Sequence, residues 1–256
     1  NADDEYGMRL KKICRGRAVS YGLSPGAEVR AESTSLSMDG TRFDIVTPRG
    51  RKRVASPLLG MPNVYNLLAA FAAAEAMELP LDAARDALEH APPVRGRFER
   101  IRAPRGFDVL IDYAHTDDAM RNVLRTARAL RPKLAPAASG RVLTVFGCGG
   151  ERDTGKRVPM GRAAGELSDL VFITSDNPRS EDPQKILDQA ETGVKEFRAA
   201  GEYVKEADRR RAIEAALRAA RPGDIVVVAG KGHETYQVLK DRTIPFDDRA
   251  VVEEII

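Results

Sequence analysis

Four short apolar runs constrain this chain more than any other feature: Phe107 to Ile111, Val142 to Phe146, Leu170 to Thr174 and Ile225 to Ala229. Each is rich in β-branched or aromatic residues and reads as a strand buried on both faces, the pattern of a covered parallel sheet. Helix-period stretches separate them: Asp117 to Leu130, Met160 to Leu167, and segments near 184–199 and 208–220. Strand and helix therefore alternate as in a doubly wound α/β domain, and Tyr236 to Leu239 is expected to add an edge strand. Each run gives way to a polar turn: Asp112-Tyr113-Ala114-His115, Gly147-Cys148-Gly149-Gly150-Glu151-Arg152-Asp153, Asp176-Asn177-Pro178-Arg179 and Gly230-Lys231-Gly232-His233-Glu234. In parallel strands these four turns share one sheet edge, where open α/β sheets hold ligands.

The residue types in those turns point to a small charged ligand. Arg179 offers a planar donor fork for a carboxylate or phosphate, and Asp176 can pair with an ammonium; together they suit a zwitterion such as an amino acid. Pro178 stiffens the loop and restricts Asn177 to extended conformations. Arg152, on a neighbouring turn, is placed to share a carboxylate with Arg179. The glycine-rich turns let backbone approach a ligand closely. No Gly-x-x-x-x-Gly-Lys-Ser/Thr run occurs in the chain, so neither is a P-loop. His115 leaves a strand where it can reach phosphate or ribose, Lys156-Arg157 can face phosphates, and His90 beside a helix end is structural. Singly, each has a plain alternative as a solvated turn or surface arginine; four polar loops converging on one edge do not.

Upstream the pattern differs. Arg17 to Tyr21, Glu28 to Glu32 and Arg42 to Val46 alternate in polarity, with Pro25-Gly26 and Asp39-Gly40 between them, so an antiparallel meander is expected over residues 15–56. The Ala- and Leu-rich stretch from Asn63 to Met77 predicts a helix, apolar nearly all round and therefore buried, followed by a second from Leu81 to Glu89. Ala91-Pro92-Pro93 breaks the helix, giving expected domains at 1–95 and 96–256.

With 43% hydrophobic and 31% charged residues in 256, the chain has an ordinary globular composition. A net charge of +3, no Trp and 5% aromatics argue against a nucleic-acid surface. Cys14 and Cys148 form no metal or redox motif and read as free thiols of a reducing, cytoplasmic compartment; no metal-ligand cluster, signal peptide or membrane span is visible. The chain opens at Asn1-Ala2-Asp3-Asp4-Glu5 without an initiator Met, and a fragment is expected.

These motifs, together with Gly60-Met61-Pro62-Asn63-Val64-Tyr65-Asn66, Gly96-Arg97-Phe98-Glu99, Phe146 through Arg157, and Gly230 through Gln237, resemble the Mur ligases of peptidoglycan synthesis over essentially the whole chain. The resemblance implies an ATP-dependent amide ligase of cell-wall biogenesis: a Rossmann-like C-terminal domain with a mostly parallel sheet, preceded by the tail of a central ATPase domain. ATP and Mg²⁺ are the implied cofactors. The implied substrates are the UDP-MurNAc-dipeptide and meso-diaminopimelate, joined through an acyl phosphate on the D-glutamate γ-carboxylate, and a monomer is expected. Carried over by motif, Asn63, Asn66, Arg97, Asp112 and His115 would belong to the ATP site. Arg152, Asp176, Asn177, Pro178, Arg179, Gly230 and Glu234 would bind diaminopimelate, the arginines at its distal carboxylate, and Asp176, Glu234 and the Gly230 carbonyl at its distal ammonium.

The P-loop, the Mg²⁺-binding acids and the carbamylated lysine of such ligases lie upstream of these motifs, so no catalytic residue is assigned and turnover by this chain alone is not expected. Asp117 stands where the family usually has Pro, and Val158-Pro159 shifts a nearby proline. A non-catalytic amino-acid or nucleotide-binding module remains the alternative of another class, and an L-lysine-adding or polyglutamate-adding ligase the alternative within the family.

Overall fold

The computed structural model describes residues 1–131 and 140–256 in full, and the backbone of 133–135 and 138–139. The chain divides into two compact units, Asn1–Pro93 and Val94–Ile256.

In the first unit, α1 (Glu5–Ile13) precedes β1 (Tyr21–Gly22), β2 (Val29–Ser37), β3 (Gly40–Thr47), β4 (Gly50–Ser56), α2 (Gly60–Ala76) and α3 (Leu81–Glu89). β2, β3 and β4 run antiparallel in sequence order, while β1 pairs parallel with β2. The expected meander is thus corrected: a further strand, β4, follows the three foreseen, and the first pairing has the opposite sense. Alternation decides the buried face. Val29, Ala31, Phe43, Ile45 and Val54 turn onto Val64, Leu67, Leu68 and Phe71 of α2. That helix is not buried all round as expected, since Asn66, Ala70 and Ala73 face solvent. Alanine is neutral enough to occupy either face, so composition could not show the stripe.

The second unit is built on a six-stranded sheet. Its elements are β5 (Glu99–Arg102), β6 (Asp108–Asp112), α4 (Asp117–Leu130), β7 (Lys133–Ala135), β8 (Ala138–Ser139), β9 (Val142–Cys148), α5 (Arg157–Leu167), β10 (Leu170–Ser175), α6 (Pro183–Val194), β11 (Tyr203–Lys205), α7 (Arg209–Ala219), β12 (Ile225–Ala229), β13 (Tyr236–Val238), β14 (Thr243–Pro245) and α8 (Asp248–Ile255). The strand order is β11-β10-β9-β12-β6-β5, parallel except for β5 at its edge. β13 does not extend this sheet as expected; it forms a hairpin with β14.

Every residue of β9 and β12 is buried, because helices cover both faces. Val109, Ile111, Leu143, Val145, Val226 and Val228 meet Ala212, Ile213, Ala216 and Leu217 of α7 and Val251 and Val252 of α8. α4, α5 and α6 also pack on the central strands and against one another. α5 and α6 approach at backbone distance: a Cβ on Gly161 would lie 2.0 Å from the Ala190 oxygen. Helix starts are capped as their sequences predict, by Thr116, Asp182, Asp208 and Asp247, with Pro183 in the first turn of α6.

Candidate functional site

The loops leaving β6, β9, β10 and β12 emerge side by side and bond to one another through their backbones. The Gly150 amide donates to the Asn177 carbonyl (2.9 Å), and the Gly230 amide to the Asp112 carbonyl (3.1 Å). A Cβ on Gly150 would lie 2.0 Å from the Pro178 oxygen, so only glycine lets these two loops touch. Gly230 takes φ +115 with its Cα face open toward Asp176, whose Oδ2 is 3.9 Å from where a Cβ would stand.

Arg179 also occupies the left-handed region, at φ +53, which costs a residue bearing a Cβ. Its conformation is held at three points. Its amide donates to the Val238 carbonyl (3.1 Å), and its Nη1 to the carbonyls of Gly150 (2.7 Å) and Asn177 (3.3 Å). Nε and Nη2 keep their donors free of other described residues. Arg152 comes to the same place from the neighbouring loop. Its Cγ lies 3.7 Å, and Arg179 Nη1 3.2 Å, from the position a Cβ on Gly149 would take. Arg152 makes no hydrogen bond or ion pair among the described residues, so its side chain leaves the backbone beside the Arg179 guanidinium with all its donors to spare.

On the other side of the Arg179 loop lies a buried polar cluster. Asn177 donates from Nδ2 to Glu234 Oε2 (3.0 Å) and accepts at Oδ1 from Lys231 Nζ (3.1 Å) and the Val238 amide (2.9 Å). Gln237 Nε2 donates to the Asp176 carbonyl (2.7 Å). Lys231 Nζ stands 3.1 Å from Asp176 Oδ1, but off the angle of a hydrogen bond, so that oxygen is buried and lacks a donor. Thr174 Oγ1 and Ser175 Oγ, just before it, are likewise without partners. Buried acceptors seldom remain so unless something else comes to them. An ammonium would suit the carboxylate oxygen, and a carboxylate the two arginines.

Buried cations hold these loops from behind. Arg157, 1% exposed, donates to the Gly149 carbonyl (3.1 Å), Gln189 Oε1 (2.7 Å) and Glu181 Oε1 (3.0 Å). The Arg157 hydrogen bond, helped by the Glu151 amide, lowers the Glu181 carboxyl below its ordinary value. Burial pushes the Cys148 thiol up to about 12, which makes it inert as a nucleophile beneath the pocket.

A second group of side chains gathers at the β6 exit. Asp112 accepts from the amides of Phe98 (2.7 Å) and Ala114 (2.8 Å), and burial raises its pKa despite those bonds. The Arg97 guanidinium lies over the Tyr113 ring at 4.8 Å, and His115 and His233 stand 4.6 and 5.2 Å from that ring. His115 Nδ1 contacts the Tyr113 carbonyl (2.9 Å), leaving Nε2 available. Asn63 and Asn66 belong to the first unit, one turn apart on α2. Asn63 Nδ2 donates to the Leu59 carbonyl (2.9 Å), and Asn66 Nδ2 to Asn63 Oδ1 (3.2 Å).

Of the expected site residues, seven therefore meet around the β9, β10 and β12 exits, three gather beside β6, and two lie on α2. Lys231 and Gln237 escaped the sequence reading as contributors, and Arg157, read there as able to face phosphates, is instead buried behind the loops. Lys231 carried a faint signal, a cation between two glycines at a strand exit; Gln237 carried none.

Two family models account for most of the chain. That for the Mur ligase middle domain matches residues 1–74, and that for the Mur ligase, glutamate ligase domain matches residues 96–232. Among curated relatives, the UDP-N-acetylmuramoyl-L-alanyl-D-glutamate--2,6-diaminopimelate ligase of Solibacter usitatus is 48% identical over 256 residues, covering 100% of this chain and 50% of the relative. The like-named protein of Geobacter metallireducens is 46% identical, over 98% of this chain and 50% of its own length. A solved structure of a ligase of that name superposes with a TM-score of 0.65 at 36% identity, covering 100% of this chain and 50% of its own. The chain thus spans about half the length of the curated relatives it matches. With a matching domain in each of its two units, the chain belongs to the Mur ligase family.

Proposed function

We propose that this chain is the amino-acid-binding part of an ATP-dependent ligase that adds meso-diaminopimelate to UDP-N-acetylmuramoyl-L-alanyl-D-glutamate. The observation that carries this reading is a set of adjoining loops that bring both charges together: Arg179 with the stem of Arg152 beside it, and, on the same and the next loop, the carboxylates of Asp176 and Glu234. A diamino diacid presents a carboxylate and an ammonium on one carbon at its distal end, and that pair matches both. L-Lysine lacks the distal carboxylate and would leave the arginines unanswered.

In the reaction the family implies, ATP phosphorylates the glutamate γ-carboxylate and releases ADP. The free amine of the diamino acid then attacks the acyl carbon, the amide forms, and phosphate leaves. This chain's residues would grip the far end of the nucleophile and so fix its near amine in line, which is a gain of orientation. Arg97, Asp112 and His115 of the second unit would contact the nucleotide. A buried carboxylate suits a ribose hydroxyl, and the cation over Tyr113 suits phosphate. Among the described residues no three His, Cys, Asp or Glu side chains converge to hold a metal ion. Mg²⁺ therefore finds no fitting cluster here, and no step is assigned to it. No helix among the described residues is long and apolar enough to cross a membrane, and a cytoplasmic site of action is part of the proposal.

The test is amino-acid incorporation by the full-length protein, with meso-diaminopimelate and L-lysine compared at equal concentration. Preference for the diamino diacid by a hundredfold or more is expected; equal use of lysine would overturn the reading.

A further inference from the structure

Lys231 exposes no surface, unusual for a residue whose stem and charge ordinarily reach water. A buried ammonium is costly unless its donors are satisfied and its charge paired. Both conditions are met here by converging loops. Nζ donates to the Tyr236 carbonyl (2.7 Å), to Asn177 Oδ1 (3.1 Å) and to Glu234 Oε2 (3.3 Å), and it stands 3.1 Å from Asp176 Oδ1. Two of these four partners, Asp176 and Glu234, are residues proposed above to hold the ammonium end of the amino acid, and a third, Asn177, sits between them.

The charges facing the cluster favour a cation. Lys231 opposes the two carboxylates of Asp176 and Glu234, while nearby Arg209 and Asp248 cancel each other in a bidentate pair. One negative charge is left over in this cluster, apart from the Arg152 and Arg179 guanidinium groups assigned to the ligand's carboxylate. Without Lys231, two carboxylates would face each other in a dry site, where they separate or take up a proton.

We propose that Lys231 is the positioning residue of this pocket: its buried ammonium draws Asp176, Asn177 and Glu234 together from two loops and cancels one carboxylate, leaving a single negative charge for the amino acid's distal ammonium. The proposal rests on the amino-acid reading of the site. Lys231 acts through its three neighbours and is not itself assigned a contact with the substrate.

A purely structural lysine and a charge-setting one respond differently to neutralising a partner. In the full-length enzyme, Lys231→Met keeps the stem and removes the charge. Lys231→Met with Glu234→Gln restores the pocket to one negative charge and keeps an acceptor for Asn177. Calorimetry with meso-diaminopimelate should show affinity falling about tenfold or more in the single variant and recovering about threefold or more in the double, short of wild type because Glu234 itself answers the ammonium. Wild-type affinity in the single variant overturns the proposal. So does a double variant no better than the single, because then the charge is not what Lys231 supplies. Should Lys231→Met fail to fold, the double variant decides alone: folding with measurable affinity for meso-diaminopimelate supports the proposal, and failure to fold or bind overturns it.

Wild-type enzyme that does not bind the diamino acid would sink the reading of the site instead. The role of Lys231 is then decided by hydrogen exchange at the Val238 amide, which donates to Asn177 Oδ1 (2.9 Å). Exchange that quickens in the single variant and slows again in the double supports positioning. Unchanged exchange in the single variant overturns it.

Discussion

Arg209 and Asp248 form a bidentate ion pair in which neither side chain exposes any surface: Nε to Oδ1 and Nη2 to Oδ2 are both 2.7 Å. The same guanidinium donates to the Ala229 carbonyl (3.0 Å) and the Ser175 carbonyl (3.4 Å). Those carbonyls end β12 and β10, immediately before Gly230 and Asp176. Burial opposes the arginine's charge, and the Asp248 carboxylate more than offsets it, so the pKa rises. Breaking this pair leaves an uncompensated buried cation. Asp248→Ala should destabilise the second unit by about 3–5 kcal/mol, whereas Arg209→Met with Asp248→Leu should recover most of the loss. Urea denaturation followed by circular dichroism checks both; an Asp248→Ala variant as stable as wild type would mean that the pair is idle.

In the first unit, the carboxylate of Asp3 gathers four donors. The amides of Leu23 and Ser24, the Ser24 hydroxyl and the Tyr65 hydroxyl all point to it, the last at 2.9 Å. Burial raises its pKa, but the four bonds outweigh that and the net shift is downward; the same contact and burial push Tyr65 up to about 12. A carboxyl lowered in the folded state stabilises it above the unfolded value, near 3.8, and loses that contribution as pH falls through the folded value. Asp3→Ala should therefore lower the melting temperature of the first unit by a few degrees at pH 7. The gap should narrow as pH falls below about 4, as the carboxyl takes up its proton in the folded state too. A gap independent of pH would show that ionisation of Asp3 contributes nothing.

The two thiols should separate cleanly in a reactivity assay. Cys14 is exposed, while Cys148 is buried with its pKa pushed up to about 12. At pH 8 the Cys148 thiolate fraction is then about 10⁻⁴, and reagent access is blocked as well. Titration of the native chain with a chromogenic disulfide at pH 8 should count one fast thiol, and a second only in denaturant. Two fast thiols in the native chain would contradict the burial of Cys148.

Legibility in the sequence followed the range of the interaction. β6, β9, β10 and β12 announced themselves because a strand covered on both faces must be continuously apolar. Their shared ligand edge followed from parallel pairing alone. Pairing sense in the first unit was not local: nothing in Tyr21-Gly22 tells it to lie parallel to Val29-Arg30. β13 was foreseen as a strand but given the wrong neighbour, since Thr243–Pro245 carries no periodic signal from which a hairpin could be inferred. Lys231 is the sharpest case. A lysine in a glycine turn reads as solvated, and only the approach of Asp176 and Asn177 from another loop makes it core. The glycines of α5 and α6 are similar, because Gly161 looks like a helix weakness until Ala190 is placed against it.

Arg179 is held at φ +53 with Nη1 on the Gly150 carbonyl at 2.7 Å, so its backbone strain and its guanidinium can be tested apart. Glycine relieves the strain and deletes the charge; alanine deletes the charge and keeps the strain. Arg179→Gly should therefore be more stable than Arg179→Ala by about 1 kcal/mol in chemical denaturation. For the ligand the two should behave alike in the full-length enzyme. Each leaves the distal carboxylate of meso-diaminopimelate with Arg152 alone, at a cost of about 2–5 kcal/mol in calorimetric affinity, with nucleotide affinity unchanged. L-Lysine, which has no such carboxylate, should bind both variants as weakly as it binds wild type. Full affinity for the diamino diacid in Arg179→Gly would mean that the residue shapes its loop and does not read the ligand, and the pairing of arginines with the ligand's carboxylate would lose its meaning.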